Sequence, residues 1–289
     1  MPADIIVAVP AHDEQHRIAA CVASVVRSVE TAVQAGMVGR ALVTVSAHRC
    51  LDATSSVAEV ALASGTAAFP EVVQTAVLID DASHTVGDVR ARMIAAALRQ
   101  LPAGPDCWLF STDADSVVPP EWIVQTLEHA ATVNAVAVAG MVDVVGWRST
   151  SAARRRYRHI IHEGLTPTGH RHVYGANLAV RSDAYLAVGG FKSVAHGEDT
   201  CLVESLRAAN FQVASTFSPV VTTSGRVPGR AQDGLGSLLG RLVADDPQIA
   251  GPTEQPVSGP PAGLGQQLPR DARRRHRSPG STGSPAGRG

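Results

Sequence analysis

The chain has 289 residues, of which 45% are hydrophobic, and a formal net charge of −1 at pH 7. This length accommodates one large domain or two small ones, and the near-neutral charge argues against a nucleic-acid-binding protein. The cysteines are scattered, which is neither a zinc pattern nor a disulfide framework and fits a reducing compartment. No targeting signal is visible and no apolar stretch approaches the ~20 residues needed to cross a bilayer. We therefore expect a cytoplasmic protein without a transmembrane segment, for which peripheral membrane contact stays open.

Short apolar runs alternate with helical periodicities through the first half of the chain. They predict strands at residues 5–9, 42–45, 72–79, 108–111 and 135–140, and helices at about 17–35, 54–63, 87–101 and 122–132. Strands that alternate with helices in this way are typical of a parallel sheet. Neither a Gly-x-Gly-x-x-Gly turn nor a Walker A motif follows the first strand, which weakens dinucleotide and phosphate-loop interpretations.

The second half is predicted from its glycine and acidic signals. A glycine turn at 175–177 leads into a strand, a short helix covers 184–188, and a helix runs from 198 to about 209, followed by strands at 211–217 and 220–223. From about residue 251 the sequence is rich in Pro, Gly, Ser and Arg and lacks hydrophobic periodicity. We interpret residues 1–245 as the folded domain and 246–289 as a disordered tail.

The segment Asp113-Ala114-Asp115 follows the buried strand at 108–111 and precedes two prolines that can open a helix. Side chains two apart on an extended segment point the same way, so the two carboxylates converge. They would repel each other unless a cation lay between them, and carboxylates completed by phosphate oxygens are a usual Mg²⁺ arrangement. The alternative is an Asp-rich turn that caps the following helix.

Taken together, the motifs resemble the family-2 glycosyltransferases of the GT-A fold, over residues 5 to 239. The matching motifs, in chain order, are Val9-Pro10-Ala11-His12-Asp13-Glu14, Asp113-Ala114-Asp115, Gly175-Ala176-Asn177, Gly189-Gly190-Phe191 and Gly197-Glu198-Asp199. The ending Thr223-Ser224-Gly225-Arg226 is similar to a soluble actinobacterial branch. The resemblance implies a Rossmann-like three-layer α/β sandwich with a mostly parallel sheet.

The resemblance also implies an activity and a set of site residues. It implies an inverting transfer of a sugar from a nucleotide-diphosphate sugar to a hydroxyl of a saccharide, a lipid-linked acceptor or a small molecule. Asp113 and Asp115 would hold Mg²⁺ or Mn²⁺, and Asp199, with Glu198 beside it, would be the general base. The implied nucleotide-sugar-binding residues are Pro10, Ala11, His12, Asp13, Glu14, Arg90, Asp113, Ala114, Asp115, Gly175, Ala176, Asn177 and Arg226.

The turn after the second strand departs from the family pattern. An acidic Asp-x-x-Ser turn is usual there, whereas this chain has Ala47-His48-Arg49-Cys50 and keeps only Asp52 and Thr54 of the later part. Recognition of the base by a carboxylate at this turn is therefore in doubt. The altered turn also leaves open a catalytically silent nucleotide-sugar-binding module. A sugar-phosphate nucleotidyltransferase is a further alternative, but its glycine-rich turn with Arg and Lys is absent.

A basic run, Arg154-Arg155-Arg156-Tyr157-Arg158-His159, has no place in these motifs. With His162, His170 and His172 nearby, it could face a phosphorylated or acidic ligand, or it could be the solvated face of a helix. A metal site at His170 and His172 is a third possibility, but no cysteine or spaced carboxylate completes it.

Overall fold

The structure is a computed structural model that describes residues 2–66, 69–229 and 234–245. The tail predicted at 246–289 lies outside the described residues. Within them, no helix combines the length and the apolar character that crossing a membrane requires.

Eight of the strands in the described residues form one sheet with the order β3-β2-β1-β4-β9-β6-β10-β5. These strands are β1 (Ala3–Ala11), β2 (Val38–His48), β3 (Val73–Asp80), β4 (Cys107–Ser111), β5 (Ser116–Val117), β6 (Ala137–Val145), β9 (Leu178–Arg181) and β10 (Val213–Ser224). Pairing is parallel from β3 through β4 and between β6 and β10. The short β9 runs antiparallel between β4 and β6. The sheet is therefore mostly parallel, as the sequence predicts.

Helices cover both faces of this sheet. They are α1 (Ile18–Gln34), α2 (Thr54–Gly65), α3 (Val86–Ala97), α4 (Trp122–Val133), α5 (Ser151–Glu163), α6 (Ser182–Ala187), α7 (Glu198–Ala208) and α8 (Leu235–Ala244). Side chains on β1 alternate between the two faces because the strand repeat is two residues. Ile5 and Val7 pack with α1, α2 and α4, whereas Ile6 and Ala8 pack with α3, α6 and α7. These two cores give the three layers of the predicted α/β sandwich.

One part of the second half differs from the sequence prediction. The strands predicted at 211–217 and 220–223 are one strand, β10, whose pairing with β6 is interrupted between Thr216 and Val221. The irregularity around Pro219 explains why the pattern suggested two strands, because proline cannot donate to a sheet ladder. The basic run lies on α5, which leads through the hairpin of β7 (Leu165–Thr166) and β8 (Gly169–His170) back to the sheet.

A small third core joins α8 to the domain. Leu239 and Leu242 of α8 are buried against Trp147 and Ala153, beside Tyr157 of α5. The ring centroids of Trp147 and Tyr157 are 5.7 Å apart in an edge-on arrangement. Because α8 fills this core, the folded domain includes the helix.

We predict that a chain ending after Asp245 keeps the melting temperature of the full chain, because the removed residues have no hydrophobic pattern to bury. A chain ending after Gly234 is the matched control. It loses two buried leucines, at about 1.5–3 kcal/mol each, and should melt at a clearly lower temperature. Differential scanning calorimetry of the three chains measures both effects, and a large loss in the longer truncation would contradict the proposed boundary.

Candidate active site

Four segments that carry predicted site residues meet at the carboxyl edge of the sheet. The parallel strands β1, β4 and β10 end there, and they lead into the segments that contain Glu14, Asp113 and Arg226. The antiparallel β9 begins at the same edge, which places the turn at Gly175 beside them. In open α/β sheets this edge is where ligands bind.

Arg90 lies at the centre of the site. It projects from α3 with its side chain 3% exposed. Nη2 lies 2.5 Å from Asp113 Oδ1, Nη1 donates to Glu198 Oε1, and Nε donates to Ser111 Oγ at 3.1 Å. The guanidinium thus joins the end of β4 to the start of α7. Ser111 was not predicted as a site residue, although it is a polar side chain that ends an apolar strand directly before Asp113.

The two glycine motifs shape the space around this guanidinium. A Cβ atom on Gly175 would lie 2.6 Å from Arg90 Nη2, so only glycine fits at that position. Gly190 has a φ of +69°, and the chain after it places the Phe191 ring 5.7 Å from the Arg90 guanidinium carbon. A cation over an aromatic face at this distance is attracted to the ring. Gly175 therefore leaves room for the buried Arg90 guanidinium, and Gly190 allows Phe191 to lie against it.

Glu198 and Asp199 have different surroundings although they are adjacent on α7. Glu198 is buried and paired with Arg90. Asp199 is half-buried, and its Oδ2 accepts a hydrogen bond of 2.6 Å from the N–H of Gly175. Burial raises the pKa of Glu198, and the Arg90 charge opposes that rise. Of the two carboxylates, Asp199 is the one with solvent access.

Arg226 links three segments on the other side of the cleft. Its Nη2 contacts Glu14 Oε1 and lies 3.2 Å from Asp115 Oδ2. The Nε and Nη1 atoms of the same guanidinium are buried and have no hydrogen-bond partner among the described residues. Asp115 Oδ1 also accepts from the hydroxyl of Thr223, at 3.5 Å. Thr223 lies on β10 and was not predicted as a site residue, although it belongs to the motif Thr223-Ser224-Gly225-Arg226.

Carboxylates outnumber guanidinium groups in this cluster. Among the described residues, Glu14, Asp113, Asp115, Glu198 and Asp199 face only Arg17, Arg90 and Arg226. Burial, together with the charge of Asp113, raises the pKa of Asp115 to about 6. Burial also raises the pKa of Asp113, although Arg90 opposes that effect. The cluster therefore has an excess of negative charge suited to a cation.

The segment after β1 is held by the segment after β2. His12 Nδ1 is 2.8 Å from the carbonyl of His48, which can only accept, so Nδ1 carries the proton. Asp13 adopts a φ of 52°, and its Oδ1 accepts from the N–H of Leu51 at 2.7 Å. The N–H of Glu14 donates to Thr54 Oγ1 at 2.7 Å. Pro10 and Ala11, which end β1, bring this segment to the edge of the cleft.

The departure at the β2 turn has a structural counterpart. His48 stands at the end of β2, where its Nε2 donates to the carbonyl of Ser83 at 2.9 Å. Asp52 accepts from the N–H groups of Gln15 and Thr54, at 3.1 and 2.9 Å. The retained Asp52 thus braces the turn after β1.

The remaining predicted positions are buried. Asn177 Oδ1 accepts from Trp122 Nε1 at 2.9 Å, and its Nδ2 donates to the carbonyls of Met141 and Pro219 at 2.8 and 3.0 Å. The described contacts of Asn177 are thus within the fold. Ala114 and Ala176 are also buried, so their side chains fill space beneath the cleft.

The histidine pair does not form a metal site in the described residues. His170 Nδ1 and Nε2 lie 3.1 and 3.0 Å from the carbonyls of His172 and Thr216. His172 Nε2 lies 2.8 Å from the carbonyl of Ile161. Ring nitrogens directed at carbonyls are not available as metal ligands, so this alternative has no support.

Comparison with solved structures identifies the architecture. The mannosyltransferase PcManGT from Pyrobaculum calidifontis, in complex with GDP-Man and Mn²⁺, superposes with a TM-score of 0.57 at 15% identity. The match covers 79% of this chain and 59% of that one. TarS 1–349 from S. aureus, in complex with UDP-GlcNAc, gives a TM-score of 0.54 at 13% identity, with 84% and 66% covered. The chain has the GT-A glycosyltransferase fold.

At these identities the likeness establishes the GT-A fold, and the fold expected from the sequence motifs is confirmed. The chain spans about three fifths of the length of PcManGT and two thirds of TarS 1–349. No model of a protein family matches the sequence, and comparison with curated proteins finds no match either. The site residues are therefore argued from their own geometry.

The raised pKa of Asp115 has a consequence for stability. The folded-state pKa of about 6 lies above the ordinary value near 3.9, so without a cation this group costs stability as pH rises between those values, and the loss persists above about 6. Replacement by Asn removes that cost. We predict that Asp115→Asn raises the free energy of unfolding at pH 7.5 by about 1–3 kcal/mol in the absence of divalent cations.

Urea denaturation at pH 5 and pH 7.5 in EDTA measures this effect. Asp183→Asn is the control, because the pKa of Asp183 is lowered and its carboxylate pairs with Arg181 at 2.7 Å. Asp183→Asn should therefore not raise the free energy of unfolding at either pH. An Asp115→Asn chain that is less stable than wild type at pH 7.5 would contradict the assigned electrostatics.

Proposed function

We propose that the protein is an inverting glycosyltransferase that uses a nucleotide-diphosphate sugar and a divalent cation. The observation that carries this proposal is the cluster at the end of β4, where Asp113 and Asp115 share a cleft with Arg90 and Arg226. The GT-A fold supports it, as do the ligands of the similar structures, which are GDP-Man and Mn²⁺ in PcManGT and UDP-GlcNAc in TarS 1–349.

Asp113 and Asp115 fit a hard divalent cation. Their carboxylates are oxygen ligands. Burial raises the pKa of both, and the charge of Asp113 adds to the rise at Asp115, so a bound cation would stabilise the ionised forms. A bound Mg²⁺ or Mn²⁺ would act as a Lewis acid on the diphosphate leaving group. The excess of carboxylates also explains why we expect the diphosphate to bind only together with the cation.

Arg226 is the side chain we assign to the donor phosphates. Only its Nη2 is engaged with carboxylates, and its Nε and Nη1 donors lack partners among the described residues. Buried donors without partners are costly, and phosphate oxygens would satisfy them with charge-assisted hydrogen bonds. We assign Pro10 to Glu14 to the nucleoside, because this segment lies beside the cluster through the contact between Glu14 and Arg226.

Asp199 is the group we assign as general base. Its hydrogen bond from Gly175 fixes the carboxylate, and its partial exposure leaves it reachable by an acceptor hydroxyl. Glu198 is committed to Arg90, so it supports the neighbouring residue. A single base that takes the acceptor proton, with attack opposite the leaving diphosphate, gives inversion at the anomeric carbon.

Thermal-shift measurements with nucleoside diphosphates and nucleotide sugars test the donor assignment. At about a hundred times the dissociation constant, a true ligand adds about 2.7 kcal/mol to the free energy of unfolding. We predict a shift that requires Mn²⁺ or Mg²⁺ and disappears in Asp115→Asn and in EDTA. Binding that persists in that variant without the cation would contradict the metal role of the pair. Donor hydrolysis with Mn²⁺ then separates an enzyme from a silent binding module.

The base assignment predicts a difference between two adjacent carboxylates. Asp199→Asn should lower turnover by about 10²–10⁴-fold with little change in donor affinity, because a base acts only in the chemical step. Asn keeps the size of the side chain and an oxygen that can accept from Gly175. Glu198→Gln should lower turnover less, because the amide oxygen of Gln can still accept a hydrogen bond from Arg90.

Transfer rate and donor affinity are measured on both variants, with donor hydrolysis by water as the readout until an acceptor is found. Loss of turnover in Glu198→Gln together with near-normal turnover in Asp199→Asn would reverse the two roles. Full activity of both variants would rule out either residue as the base.

A further inference from the structure

Residues 146–172 have a charge unlike that of the rest of the chain. They contain six arginines and one carboxylate, Glu163, whereas the whole chain has a net charge of −1. Helix α5 accounts for most of them, and five of its seven exposed residues are arginine or histidine, namely Arg154, Arg155, Arg158, His159 and His162. None of these residues has a part in the proposed transfer reaction.

Three of these six arginines donate hydrogen bonds to backbone carbonyls of the domain. Arg156 donates to the carbonyls of Leu242 and Asp245 at the end of α8, at 2.7 and 3.1 Å. Arg154 and Arg171 donate to the carbonyls of Trp147 and Glu163, at 2.9 and 3.1 Å.

The other three arginines, Arg148, Arg155 and Arg158, are exposed. They form no ion pair with a carboxylate in the described part of the chain. The one carboxylate of the segment, Glu163, lies 3.3 Å from His159 instead. These guanidinium groups are therefore available to an external anion.

The arrangement suits many negative charges rather than one. From Arg154 to His162 the exposed positions extend along about 12 Å of helix. They lie on the outer surface of α5, whose other side packs on α8. A single phosphate is normally held by converging donors in a pocket, whereas charges spread along a helix match an extended anionic surface.

Exposed apolar side chains lie at the end of the same helix. Leu165 is 38% exposed and pairs with His170 in the β7–β8 hairpin, and Phe217, 48% exposed, has its ring 5.8 Å from that of His170. A hydrated polyanion gains nothing from a leucine and a phenylalanine, but the interface of a lipid bilayer accepts both. Basic and apolar groups side by side thus favour lipid over nucleic acid or another soluble polyanion.

We infer that Arg148, the exposed face of α5, Leu165 and Phe217 form a surface that docks on anionic phospholipid. The chain's own tail does not complement this surface, because residues 246–289 contain six arginines and three acidic residues. Docking needs only surface charge and apolar contact. The inference therefore does not depend on the proposed transferase activity.

Co-sedimentation of the full chain with vesicles tests the inference. Vesicles of phosphatidylcholine alone are compared with vesicles containing about 30% phosphatidylglycerol, at about 0.05 M and about 0.5 M salt. Wild type should bind only the anionic vesicles and should be released by the higher salt. The triple variant Arg148→Gln, Arg155→Gln, Arg158→Gln should bind about 100-fold more weakly, at about fivefold per arginine.

Two controls isolate the surface. The triple variant Arg27→Gln, Arg99→Gln, Arg207→Gln removes the same charge from exposed positions on α1, after the end of α3 and on α7, and should bind like wild type. A chain ending after Asp245 should also bind, because the surface lies within the domain. The inference is overturned if the first triple variant binds anionic vesicles like wild type, or if truncation of the tail alone abolishes binding. Binding to heparin, a soluble polyanion, is measured on the same variants. If the first triple variant loses heparin binding but keeps vesicle binding, the surface binds a soluble polyanion and the inference is overturned.

Discussion

The active-site region depends on one buried cation. Arg90 joins Asp113 at the end of β4 to Glu198 at the start of α7, and its Nε holds Ser111. Burial alone would lower the pKa of Arg90, but Asp113, Glu198 and Asp199 raise it, so the guanidinium stays charged. Breaking such a pair leaves an uncompensated buried charge, which costs several kcal/mol. The relative position of the strand end that carries Asp113 and the start of α7 is thus fixed by electrostatics.

The ion pair between Arg90 and Glu198 also distinguishes Glu198 from the adjacent Asp199. Glu198 is buried and paired with Arg90, whereas Asp199 is partly exposed and accepts a hydrogen bond from a backbone N–H. That N–H comes from the turn before β9, which runs antiparallel to both of its neighbours, β4 and β6. Because β9 starts where the others end, Gly175 can reach Asp199. The topology of the sheet, and not the α7 helix alone, therefore orients the proposed base.

Much of this could be predicted from the sequence because the relevant signals are local. Hydrophobic periodicity predicted the strands and helices of the first half, and the Asp113-Ala114-Asp115 segment was located correctly at a strand end. The partners were not predictable, because they join residues far apart in the chain. Nothing near Arg90 in the sequence indicates Glu198, which lies 108 residues away. Pro219 made one strand look like two, and a pattern-based prediction has no means of detecting a ladder that resumes after an interruption.

The arrangement of charge is compatible with the proposed binding of an anionic donor at an acidic site. Arg226 leaves two buried donors without partners while its third nitrogen holds Glu14 and Asp115 together. Phosphate oxygens would satisfy those donors, but the surrounding carboxylates would repel the diphosphate unless a cation were bound at Asp113 and Asp115. A site with this balance would bind the metal complex of a nucleoside diphosphate in preference to the free diphosphate, as the proposed function requires. Since burial and the charge of Asp113 raise the pKa of Asp115 to about 6, this preference should weaken in mild acid, where a protonated carboxyl group would bind a cation less well.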